Sequence, residues 1–182
     1  MVISDTRHRI VELLPRLRRF SYALTGDTDK GDDLVQETCA RALSRLDQWE
    51  PGTRLDNWMF KIAQNIWIDQ RRSYKVRGDM ADIDQAYEVP GDDGRDVVER
   101  RLTLKRVSQG IAQLPADQQL LIALVCVDGL SYKEAAEILD LPIGTVMSRL
   151  ARARRALHDM TDGELSAAPV IKLETRRGHS NR

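Results

Sequence analysis

The stretch SYKEAAEILDLPIGTVMSRLARARR, residues 131–155, decides the fold. Ser131 and Glu134 have the spacing of a capping box: the hydroxyl accepts from the backbone three residues on, and the carboxylate reaches back. A short helix is therefore expected over Tyr132–Leu139, with Ala135 and Ala136 small enough for another helix to cross closely. Asp140-Leu141-Pro142 makes a turn, and Pro142 suits the first position of the next helix, where its missing donor would be unpaired anyway. In that helix Val146, Leu150, Ala153 and Leu157 recur at i, i+4, i+7 and i+11 and point inward. Thr145, Ser148, Arg149 and Arg152 form an outward stripe, with Arg154 and Arg155 beside it.

Two short helices with a three-residue turn, the second basic on its free face, fit a DNA major groove. Arginine can fork onto guanine there, and serine can donate to a base or a phosphate. A basic helical stripe by itself is more often a solvated face. Cap, small-residue helix, turn and directional arginines together favour DNA.

Working backwards, helical periodicity covers Pro115–Val127 and Val97–Ala112. Before them lies an acidic stretch: residues 79–99 carry a net charge of −7, although the whole chain of 182 residues balances 28 basic against 28 acidic side chains. Residues 76–96, rich in aspartate and broken by Pro90, Gly91 and Gly94, cannot bury enough surface to offset ordering entropy, and read as a flexible linker. Upstream, Ile10, Leu13, Leu14, Leu17, Phe20 and Leu24 mark a helix that Gly26 stops. Leu34, Val35, Thr38, Cys39, Ala42, Leu43 and Leu46 mark a second helix. After the turn chemistry of Pro51-Gly52, a third carries Leu55, Trp58, Met59, Ile62 and Ile66 on one face. No segment shows β alternation. The chain reads as all-α, two small helical domains joined by the acidic linker, with a frayed tail at 161–182.

On the third helix Phe60, Trp67, Arg71 and Tyr74 share one side, and Asn65, Asp69 and Arg72 another. Aromatics beside basic groups suit unstacked single-stranded bases, but tryptophans in such a helix are more often core anchors. Both readings stand at this level. No apolar run is long enough to span a bilayer, and Met1–Asp5 is no signal peptide. Cys39 and Cys126 lie far apart, with none of His8, His158 and His179 near either, so a disulfide framework and a zinc site are not expected. A soluble intracellular protein with reduced thiols is the expectation.

The motifs together resemble a known family. Asp32-Asp33-Leu34-Val35-Gln36-Glu37, Trp58–Asn65 and Asp69-Gln70-Arg71-Arg72 are similar to region 2 of extracytoplasmic-function sigma factors of the sigma-70 family. Leu114–Gln119, Gly129–Ala136 and Gly144–Arg154 are similar to region 4. The resemblance spans residues 7–160. Met147-Ser148-Arg149 and Leu13–Phe20 are similar to the alphaproteobacterial general-stress subgroup.

The resemblance implies a region 2 over 7–75, the linker at 76–96 and a region 4 over 97–160. It implies an alternative sigma factor that directs core RNA polymerase to −35/−10 promoter DNA, for stress-response genes, under an anti-sigma factor. Such a factor acts in the cytoplasm as a monomer, is no enzyme, and needs no cofactor or metal. By motif position Asp32, Asp33, Gln36, Glu37 and Arg41 face the polymerase clamp helices. Trp49, Asn57, Asn65, Asp69, Arg71 and Arg72 serve the −10 element, with Asn65 and the loop 49–57 cradling a flipped base. Thr145, Ser148, Arg149, Arg152 and Arg154 serve the −35 element. Met147 departs from the basic residue that many relatives carry there.

Two rival functions find less support in the residues. A nuclease needs metal carboxylates, and Asp32, Asp33 and Glu37 find no histidine or second carboxylate motif. A one-component helix-turn-helix regulator acting without polymerase needs dimerisation for two half-sites, and no heptad seam or ligand domain is visible.

Overall fold

A computed structural model describes residues 2–77 and 106–160. Helix α1 spans Val2–Thr25, and Pro15 within it lies on the exposed side, where its missing donor removes one bond of the ladder. Gly26, with φ of 66°, ends the helix in the left-handed region that glycine enters without cost. Helix α2 spans Thr28–Ser44, and the Asp27 carboxylate caps it by accepting from the Lys30 backbone N–H at 2.8 Å. A 3-10 turn at Leu46–Gln48 leads to helix α3, Leu55–Arg77. The first two residues assigned to the linker are therefore helical. The rest of it lies outside the described residues, as does the tail 161–182.

In the second unit the described residues open with helix α4, residues 106–113, followed by helix α5, Ala116–Leu121; the part of the expected helix at 97–105 lies outside the described residues. A π-helical stretch, Ile122–Val127, continues from α5 without a break. Its wider winding is marked by the Asp128 N–H donating to the Ala123 carbonyl, five residues back, at 3.0 Å. Helices α6, Tyr132–Leu139, and α7, Ile143–Met160, follow. Among the described residues there is no strand.

Apolar periodicity accounts for the packing. Leu17, Phe20, Leu34, Met59 and Ile66 are buried where α1, α2 and α3 meet, with Phe20 set edge-on to Phe60 at 5.0 Å. Leu121, Leu124, Ile138, Val146 and Leu150 fill the second unit. The two units then pack on each other, α1 against the π-helical stretch and α3 against α6. Polar contacts among the described residues cross between them: Arg16 and Arg19 to Asp128, Arg54 to Glu134, Lys61 to Asp140 and Arg71 to Gln119. A tether between separate domains is what the sequence leads one to expect; these side chains build an interface.

Candidate nucleic-acid interface

The helix-turn-helix forms as its residues dictate. Ser131 Oγ accepts from the Glu134 N–H at 3.2 Å, and Glu134 Oε2 accepts from the Ser131 N–H at 2.7 Å. Ala135 and Ala153 are fully buried, so α6 and α7 approach closely. Asp140 ends α6 with φ of 52°, the left-handed conformation that a short polar side chain tolerates. The Pro142 carbonyl accepts from the N–H groups of Thr145 and Val146, so Pro142 precedes α7 rather than forming its first residue.

On α7, Val146, Leu150, Ala153 and Leu157 are buried as expected. Ser148, Ala151, Arg152 and Arg155 are open to solvent and form the outer face. Arg149 is not in that stripe. At about 100° per residue it lies beside the inward row, and it turns back to α5 to pair with Asp117 at 3.1 Å. Thr145 is half-buried. Arg154 leans the other way, its guanidinium near Tyr132 Oη at 3.5 Å and Cys126 Sγ at 3.6 Å. Met147 is 53% exposed, an apolar side chain presented at the rim of the face.

On α3, Asn65, Asp69 and Arg72 are exposed along one face, as their spacing predicts. The aromatic side resolves differently. Phe60 and Trp67 are buried, 2% and 4% exposed, Phe60 against Phe20 of α1 and Trp67 beneath the Arg71 guanidinium, and neither offers a ring to a base. Arg71 lies over Trp67 at 4.9 Å and donates to Gln119 Oε1 at 2.5 Å; burial lowers its pKa. Trp49 is likewise buried, at 6% exposed, under the Arg9 guanidinium. Its ring therefore packs inward rather than standing at the surface. Asn57 and Gln64 are half-buried, and their side-chain oxygens find no hydrogen-bond partner.

The residues expected to meet polymerase split into two kinds. Asp33 and Gln36 are exposed on α2. Asp32 accepts from Tyr22 Oη at 2.7 Å, and Glu37 pairs with Arg41 while accepting from Gln70 at 3.2 Å.

Sequence reasoning missed a cluster at the junction of the units. The Arg16 guanidinium donates through Nε and Nη2 to Asp128, at 3.2 and 2.6 Å, and through Nη1 to Asp56 at 2.9 Å. Arg54 donates to both oxygens of Asp56, at 3.1 and 2.6 Å, and also to Glu134. Partial burial pushes the Asp56 carboxyl up, but the hydrogen bonds and charges of Arg54 and Arg16 outweigh it and hold its pKa at about 2. Arg16 and Asp128 are 112 residues apart, and no local period links such a pair.

The family model described as Sigma-70, region 4 matches residues 104–157, and that described as the Sigma2 domain of PhyR matches residues 10–64. The chain is 35% identical over 158 residues to the ECF RNA polymerase sigma factor EcfG of Rhodopseudomonas palustris, covering 86% of each. It is 31% identical over 166 residues to the ECF RNA polymerase sigma-E factor of Salmonella typhi, covering 86% of this chain and 83% of that one. The sigma factor RpoE of Bartonella quintana, solved in complex with the anti-sigma factor NepR, superposes with a TM-score of 0.73 at 32% identity. That match covers 88% of this chain and 98% of the other. CnrH, solved in complex with the cytosolic domain of CnrY, gives 0.60 at 25% identity over 89% and 88%.

Proposed function

The chain belongs to the extracytoplasmic-function RNA polymerase sigma factors, and from that membership we propose how its two units divide the work of initiation. Residues 97–160 grip the −35 element as duplex, with Ser148 and Arg152 on base edges and Arg149 and Arg154 on the backbone. Residues 7–75 open the −10 element and hold it, with Asn65, Asp69 and Arg72 presented along α3. Residues 76–96 join the two. Asp32, Asp33, Gln36, Glu37 and Arg41 meet the clamp helices of core polymerase.

The observation that carries this division is the presence of two separate polar faces on two packed units. One is the outer stripe of α7, the other the exposed Asn65–Asp69–Arg72 row of α3. Bond-making chemistry belongs to the polymerase, so the chain itself acts as an initiation factor and not as an enzyme. It works as a monomer in the cytoplasm, where core polymerase and promoters are. The complex of RpoE with NepR supports an anti-sigma factor as the regulating partner, and stress-response genes are the proposed target.

Run-off transcription with core polymerase and genomic promoter fragments tests this. Transcripts should start from promoters only when the protein is added. Core polymerase that stays silent on every fragment with the protein present would count against it.

A further inference from the structure

Arg16 and Arg54 sit on the −10 side of the molecule, yet each spends part of its guanidinium on the other unit. Asp56 joins them from within their own unit, taking Nη1 of Arg16 and the Nε–Nη2 edge of Arg54. The Phe60 ring lies 5.4 Å from the Arg16 guanidinium, a second anchor from the same side. What remains faces outward. The Nε–Nη2 fork of Arg16 grips Asp128, whose carboxylate has no solvent exposure, and Nη1 of Arg54 reaches Glu134. Arg19 stands 3.8 Å from Asp128 as well.

Packed together, three arginines face three carboxylates. Without the second unit, Arg16, Arg19 and Arg54 would be left with Asp56 alone. A fork that binds a carboxylate in this two-bond geometry also binds a phosphate, because both offer paired oxygens to parallel N–H groups. Asp56 and Phe60 would keep the Arg16 fork aimed after Asp128 leaves, so little ordering cost falls on the next anion.

We propose that Arg16 and Arg54 form a binding site for the DNA backbone beside the −10 loop, and that Asp128 and Glu134 occupy it in place of phosphates while the two units are packed. The second unit thus blocks the first with its own carboxylates. Separation of the units exposes the site. This rests on the assignment of residues 7–75 to the −10 element.

The test is titration of the full-length chain, alone, against a fluorescent single-stranded −10 oligonucleotide at several salt concentrations. Asp128→Asn should raise affinity about 3- to 10-fold at low salt, and adding Arg16→Gln should remove the gain and flatten the salt dependence by roughly one phosphate contact. Glu134→Gln keeps the capping box and should give a smaller gain that Arg54→Gln cancels. It carries the test if Asp128→Asn fails to fold. Solution scattering that shows the units apart with no gain in DNA affinity would overturn the proposal. So would a gain that survives Arg16→Gln, or one seen with polyglutamate and not with DNA, which would assign the fork to an acidic protein segment. Run-off transcription by the unaltered protein is read separately: its success leaves the initiation role intact whichever way the titration falls, and its failure strikes that role itself.

Discussion

Tyr22 reaches across the crossing of α1 and α2 to donate its phenol proton to Asp32 at 2.7 Å, over a gap that exists because residue 31 is glycine. A Cβ on Gly31 would lie 2.2 Å from Tyr22 Cδ1, well inside contact distance. The ring must move, and with it goes the bond that orients Asp32.

Gly31→Ala should therefore lower stability by about 1–3 kcal/mol, the usual cost of overpacking. Tyr22→Phe, which removes only the hydroxyl, should cost about 0.5–1.5 kcal/mol. Chemical denaturation of the two variants separates the effects. A Gly31→Ala protein as stable as the parent would mean that the crossing is looser than described.

The two arginines of α7 should behave differently. Arg152→Ala should cost about 1–3 kcal/mol in −35 binding and relax preference at one base position. Arg149 is held by Asp117, so Arg149→Ala should weaken all −35 variants alike. Affinities of polymerase holoenzyme for a set of single-base −35 variants read both. Uniform weakening by Arg152→Ala would remove its base-reading role.

Much of this site was visible in the sequence because its logic is local. Ser131 and Glu134 cap a helix three residues apart, and Val146, Leu150, Ala153 and Leu157 repeat at helical spacing, so α6 and α7 follow directly. Arg149 escapes this local logic because the helical turn sets it beside the buried row, and only α5, folded against it, supplies Asp117. The spacing of Phe60 and Trp67 suits either base platforms or core, and only the packed fold makes them core. Arg16, Asp56 and Asp128 were invisible. Their meeting depends on how two units pack, which no short-range pattern encodes.

Acid should weaken the pairing of Asp56 with Arg16 and Arg54 within the first unit. The Asp56 carboxyl is held at about 2, below its ordinary value of 3.8. A carboxyl depressed by folding contributes stability that is fully present above the unfolded value and is lost as pH falls through the folded one. The contribution should thus hold above about pH 4 and disappear between about pH 4 and pH 2. Asp56→Asn should flatten the pH dependence of the unfolding midpoint in that window and leave its slope above pH 5 unchanged. Parallel curves for parent and variant would contradict the pairing.

Opening a duplex costs base stacking that one small helical unit cannot recover alone, and polymerase binding adds contact surface and holds both units over the promoter at once. Permanganate reactivity of the −10 thymines measures that opening directly. Reactivity should appear only when protein and core polymerase are both present, and Asn65→Ala should reduce it more than it reduces protection of the −35 element. Tight, sequence-specific binding of the protein alone as a dimer on a palindrome, with thymines unreactive whether or not polymerase is added, would contradict the account.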